Sequence, residues 1–168
     1  VNKSNIVMIG MPGAGKSTIG VVLAKNRGYQ FVDSDLVIQE RYDKLLHQLI
    51  TEHGLDGFIR IEEEVNASLQ AEKSIIATGG SVVYGPKAME HLKEIGTVVY
   101  LKLSYESIEE RLGDLKARGV ALKDGQTLLD LYKERTPLYE KYADITVDCE
   151  NATIPQIVAK INTFLEDR

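Results

Sequence analysis

The stretch that most constrains this chain is Asn5 to Gly20, NIVMIGMPGAGKSTIG. Ile6, Val7, Met8 and Ile9 form a short apolar run with a β-branched bias, the pattern of a buried strand. Gly10 to Ser17, GMPGAGKS, then match the phosphate-binding pattern G-x-x-x-x-G-K-[ST] at every fixed position. Ile19, Val22 and Leu23 recur at helical spacing, so a helix opens directly behind the loop. Glycines let successive backbone N–H groups turn inward without Cβ clashes. The helix points its partly positive N-terminus at the same anion. Gly13, Ala14, Gly15, Lys16, Ser17 and Thr18 are therefore read as contacts for a nucleoside triphosphate. Lys16 supplies a mobile charge for the β- and γ-phosphates, and the Ser17 hydroxyl a ligand for Mg²⁺. A chance glycine-rich turn is the alternative, but it has no reason to lie between a strand and a helix.

Further along, strand and helix patterns alternate. Tyr29 to Asp33 reads as a second strand ending in Asp33-Ser34-Asp35, and a helical pattern runs from Leu36 towards Leu49. Gly54 interrupts it, after which Phe58, Ile61, Val65 and Leu69 mark a long amphipathic helix. Ser74 to Ala77 is a third strand running into Thr78-Gly79-Gly80-Ser81. Gly85-Pro86 opens the next helix, with proline in its first turn, and Gly96 ends it. Thr97 to Leu103 is a fourth strand, 105–112 a helix, and 113–126 a polar segment with spaced glycines. Leu128 to Tyr142 reads as a helix and Asp144 to Val147 as a fifth strand. Thr153-Ile154-Pro155-Gln156 is a T-x-x-Q capping box that opens a terminal helix. Such alternation implies an α/β fold, a five-stranded parallel sheet with helices on both faces. In these sheets ligands collect outside the carboxyl ends of the strands. The phosphate loop, Asp33–Asp35 and Thr78–Ser81 all fall there, so they are expected to converge on one crevice.

At 168 residues the chain has the size of one domain, spanning 1–168. A formal net charge of −5 argues against a general nucleic-acid or anionic-membrane binder. No apolar run is long enough for a bilayer, and no charged-then-apolar leader precedes the first strand. A single cysteine, Cys149, excludes an internal disulfide and a cysteine-rich zinc site. His47, His53 and His91 lack metal-ligand spacing. A cytoplasmic monomer, with neither nucleic acid nor membrane as partner, is the expectation.

Five motifs together resemble the shikimate kinases: the loop at Gly10–Ser17, D-x-D at Asp33–Asp35, F-x-R-I-E at Phe58–Glu62, Gly79–Gly80, and R-T-P-L-Y at Arg135–Tyr139. Only the phosphate loop is specific alone; the order and spacing of all five cover nearly the whole chain. The resemblance implies a three-layer P-loop kinase fold with acceptor-binding helices over about 36–71 and a lid over about 113–126. It also implies transfer of the γ-phosphate of ATP, with Mg²⁺, to a hydroxyl of a small cyclic acid, most simply shikimate to shikimate 3-phosphate. By the same likeness Asp33 would help hold the metal, and Asp35 would be the acceptor's base. Phe58, Gly79, Gly80 and Arg135 would contact the acceptor, Arg135 as the partner of its carboxylate. Arg118 would reach the transferring phosphoryl group from the lid, and Arg111 and Pro155 would flank adenine. Each has a plainer reading: Ser34 or Asp35 as a helix cap, the glycines as a turn, the arginines as exposed charges.

Three positions depart from the family's pattern. An arginine that grips the acceptor carboxylate is replaced by Ile59; Arg60 lies about 100° further around the helix and cannot simply take over. A third glycine is replaced by Ser81, and Ala117-Arg118-Gly119-Val120 lacks the usual proline after its arginine. Losing one buried arginine–carboxylate pair costs about 2–5 kcal/mol of binding, enough to alter acceptor preference. A kinase for a less anionic hydroxyl acceptor, or a nucleotide-binding module without turnover, stays open beside the first reading.

Overall fold

The computed structural model describes residues 3–113 and 123–167. Strands β1 (Asn5–Ile9), β2 (Gln30–Asp33), β3 (Ser74–Ala77), β4 (Gly96–Lys102) and β5 (Ile145–Asp148) form one sheet in the order β2-β3-β1-β4-β5. Every pairing is parallel. All residues of β1 and β3 are buried. Because side chains alternate between faces, that burial requires both faces to be covered.

Helix α1 (Lys16–Arg27) packs on β2 and β3 and touches α7 (Ile154–Glu166), which lies along β5. Helices α4 (Pro86–Ile95) and α6 (Leu128–Tyr142) pack on β4, and α5 (Tyr105–Leu112) leans on α6. Helices α2 (Ser34–Tyr42) and α3 (Leu46–Ala67) pair with each other, and α3 also covers α4. A satellite cluster of Ile38, Leu49, Phe58, Ile61 and Val65 holds the α2–α3 pair beside the main core.

Most expected elements are present, with differences that have local causes. The pattern from Leu36 to Leu49 is two helices, because Asp43 takes a left-handed conformation (φ 53°) and ends α2. Gly54, at φ 75° and ψ 172°, is non-helical and interrupts α3 as expected, leaving two helical segments that meet at a kink. Residues 82–84 form a short 3₁₀ turn that the sequence pattern does not reveal. Neither Ser34 nor Asp35 caps α2: the cap is Asp33, whose Oδ1 accepts the Asp35 N–H at 2.9 Å. Thr153 and Gln156 form the expected capping box on α7. Among the described residues no helix is long and apolar enough to cross a membrane.

One buried amide ties the lower edge of the sheet. Asn5 Nδ2 donates to the carbonyls of Ala71 (2.8 Å) and Ile95 (2.9 Å), while its Oδ1 accepts the Ser74 N–H at 3.0 Å. The residue thereby joins β1 to the entries of β3 and β4. Asn5→Ala strands three backbone groups away from water and is expected to lower the unfolding free energy by about 2–3 kcal/mol in urea titrations.

Candidate active site

At the carboxyl end of β1 the chain turns through Gly13 (φ 85°) and Gly15 (φ 92°), left-handed conformations that favour glycine. Gly15 is also the residue before α1, so the loop's N–H groups and the helix N-terminus face one space. Lys16 is buried, and its Nζ donates to the carbonyls of Gly10 (2.6 Å) and Met11 (2.9 Å). Burial lowers its pKa to about 8, and the nearby Asp35 carboxylate opposes that shift. The Ser17 hydroxyl points at Asp33 Oδ2, 3.5 Å away. Thr18 lines the same space, whereas Ala14 is packed into the core and offers its backbone.

A cleft of about 390 Å³ opens over this loop. Gly13, Gly15, Lys16, Ser17, Thr18, Asp35, Phe58, Gly79, Gly80 and Arg135 all line it. The structure thus brings together residues that the sequence scatters over more than a hundred positions. Asp35 lies in the first turn of α2, and its carboxyl is pushed up to about 6, first by burial and then by Asp33, with Lys16 opposing.

Gly79 and Gly80 are needed for space rather than for a special backbone angle. A Cβ on Gly79 would stand 2.7 Å from Glu62 Oε2 and 2.8 Å from Asp35 Oδ1. One on Gly80 would stand 2.8 Å from Arg135 Nη1 and from Pro12 Cδ. The pair therefore lets two carboxylates and a guanidinium close in on the end of β3. A simple turn would not demand that.

Arg135 is only 2% exposed, although a solvated helix charge is the plainer expectation from sequence. Its Nε donates to the Tyr84 hydroxyl at 3.3 Å, and its guanidinium stands 5.3 Å from the centre of that ring. Four residues on along α6, and so on the same face, the buried Tyr139 hydroxyl donates to the Gly80 carbonyl at 2.6 Å. Ile59 lines a neighbouring cavity of about 200 Å³ that shares Arg135 with the cleft and includes Tyr84. Arg60 is exposed in a separate depression with His53 and Glu64, as the helical angle implies.

Several cleft residues carry no assigned role in the sequence: Leu46, Ile50, Thr78, Ser81 and above all Glu62. Glu62 is 1% exposed and accepts a hydrogen bond from Ser81 Oγ at 2.5 Å. Its position is legible in principle, since Phe58 and Glu62 are spaced to share one face of α3. Arg111 does not line the cleft but donates from Nη1 to the Gly13 carbonyl at 3.1 Å, so it braces the loop. Pro155 is exposed in the first turn of α7 and also lies outside the cleft lining. Arg118 falls outside the described residues. Tyr139→Phe removes the bond to the Gly80 carbonyl and is expected to cost about 0.5–1.5 kcal/mol in thermal or urea unfolding.

A family model described as shikimate kinase matches residues 12–166. The shikimate kinase of Francisella tularensis subsp. novicida (strain U112) is 40% identical over 169 residues, spanning 98% of this chain and 96% of that relative. Among solved structures, shikimate kinase from Acinetobacter baumannii in complex with shikimate gives a TM-score of 0.86 at 31% identity, covering 97% of this chain and 93% of that one. The shikimate kinase of Aquifex aeolicus gives 0.81 at 30% identity, with 96% of each chain covered. With the match running nearly end to end in both sequence and structure, the chain belongs to the shikimate kinase family.

Proposed function

We propose that this chain transfers the γ-phosphoryl group of ATP to a hydroxyl of shikimate, giving shikimate 3-phosphate and ADP. The observation that carries the reading is the cleft itself. A phosphate loop with its lysine, an aspartate base and a buried guanidinium line one cavity, and a relative of similar fold is known in complex with shikimate.

Lys16 leaves the loop carbonyls to neutralise the terminal phosphates of ATP. Ser17 Oγ and Asp33 Oδ2, 3.5 Å apart, are hard oxygen donors at the loop's edge. That suits Mg²⁺, which takes one or two protein oxygens and keeps water and phosphate for the rest. When bound, the ion screens charge on the β- and γ-phosphates. Arg135, already held by Tyr84, takes the acceptor carboxylate. Asp35 accepts the hydroxyl proton as the oxygen bonds to the γ-phosphorus; the bond to the β–γ bridging oxygen breaks and ADP departs. Helices α2 and α3, within about 36–71, hold the acceptor, while most of the lid expected over about 113–126, with Arg118, lies outside the described residues.

Ile59 favours one second reading, a less anionic hydroxyl acceptor, because it leaves Arg135 without a second guanidinium. A coupled ADP-release assay separates the two: a KM for shikimate at or below about 1 mM is expected, and turnover restricted to neutral hydroxyl acceptors would displace shikimate. Asp35→Asn is expected to lower kcat by about 10²–10⁴-fold. Arg135→Met is expected to raise the KM for shikimate at least about thirtyfold, the low end of a lost buried charge pair, while leaving the KM for ATP near its starting value.

A further inference from the structure

Among the described residues, Glu62 is the one buried ionisable group of the cleft to which the proposed phosphoryl transfer gives no task. It is 1% exposed, and only one of its oxygens is satisfied, Oε1 by the Ser81 hydroxyl. Oε2 is buried without a hydrogen-bond partner among the described residues. It faces the point beside Gly79 that Asp35 Oδ1 also faces, 2.7 Å and 2.8 Å from it respectively. Two carboxylates thus look at one small space in the cleft.

The groups facing Glu62 come from four elements: Asp35 of α2, Lys16 of α1, Arg135 of α6 and Ser81 after β3. Both cations are committed elsewhere. Lys16 is bound to the carbonyls of Gly10 and Met11, and Arg135 to Tyr84. Position 59, one turn before Glu62 on the same face of α3, is apolar. An ionised Glu62 would place a second unpaired negative charge beside Asp35 and close to the acceptor's own carboxylate, a costly arrangement in a buried site.

We propose that Glu62 works as a neutral carboxylic acid, its Oε2 proton donated into the space shared with Asp35, and that it is thereby a positioning residue for acceptor binding. The inference rests on the shikimate reading for its kinetic arm only. With Glu62 neutral, Arg135 is left to the acceptor carboxylate, Lys16 to the phosphates, and Asp35 is the one ionised carboxylate of the pair. The proton also turns a bare acceptor oxygen into a donor that supports Asp35 as an ionised base. Burial, aided by Asp35 and opposed by the Ser81 hydrogen bond and the charges of Arg135 and Lys16, pushes the Glu62 carboxyl up to about 7. The proton is therefore lost as pH rises through about 7, and acceptor binding weakens across that range.

Two measurements test this. In protein carrying ¹³C-labelled glutamate, the Glu62 side-chain resonance, assigned by its loss in Glu62→Gln, is expected to titrate near pH 7 without any ligand. Titration below pH 5 overturns the proposal, whatever the acceptor is. In the assay with shikimate, the KM is expected to rise roughly tenfold between pH 6 and pH 8 as that proton leaves, with a smaller change in kcat. Glu62→Gln is expected to abolish the rise. Ile59→Arg, which sets a cation on the same face and does not depend on Glu62→Gln folding, is expected to move the Glu62 titration below pH 5 and to flatten the KM profile. A KM that is constant with pH in the unaltered protein, or an equal rise in Glu62→Gln, overturns the kinetic arm. Absence of shikimate turnover sinks the shikimate reading and leaves the resonance experiment standing.

Discussion

Register across three parallel strands is the constraint on which this site depends. Met8 of β1 pairs with Ala77 of β3, and Ala77 pairs with Asp33 of β2. Thr78 then locks the junction, with both its N–H (3.3 Å) and its hydroxyl (2.7 Å) donating to the Met8 carbonyl. The three strands consequently end at one level. The segments leaving those ends, namely the phosphate loop, Asp33–Asp35 and Gly79–Ser81, emerge around one cavity. A slip of one residue in any pair would turn the side chains to the opposite face and disperse the cluster.

Above that platform, charge in the cleft is arranged by burial. Lys16 is lowered and Asp35 and Glu62 are raised from their ordinary values, in each case with burial as the largest cause. The effect narrows the gap between acid and base and makes each group responsive to its neighbours. Arg135 is the exception, since a guanidinium stays charged even when buried. Tyr84 supports it from one side, and Gly80 makes room for it on the other. Helix α6 thus delivers two things from one face: the guanidinium at Arg135 and, one turn later, the Tyr139 hydroxyl that pins the glycine corner.

Asp33 illustrates how one side chain can serve two ends. Its Oδ1 caps α2 and so orients the turn that carries Asp35, while Oδ2 faces Ser17. Capping and metal holding are competing readings of the D-x-D motif only while the carboxylate is treated as a single point. Because it has two oxygens, they are compatible, and the cap helps to aim Asp35. Gly79 and Gly80 show a similar convergence, since the turn they occupy is also the place where side chains from α2, α3 and α6 crowd the backbone.

Local patterns in the chain were sufficient for the phosphate loop, the order of strands and helices, the parallel sheet and the place of Asp35 at a strand end, whereas Arg135 entered the site only through the family resemblance. They rest on short-range steric rules and on the habit of parallel sheets to place ligands at strand ends. Tertiary structure alone decided that Arg135 is buried and that Glu62 faces Asp35 with one oxygen bare. Burial and electrostatic environment belong to contacts between residues far apart in the chain, such as Glu62 with Ser81 and Tyr139 with Gly80. No window of sequence contains both partners, so no local pattern could report them.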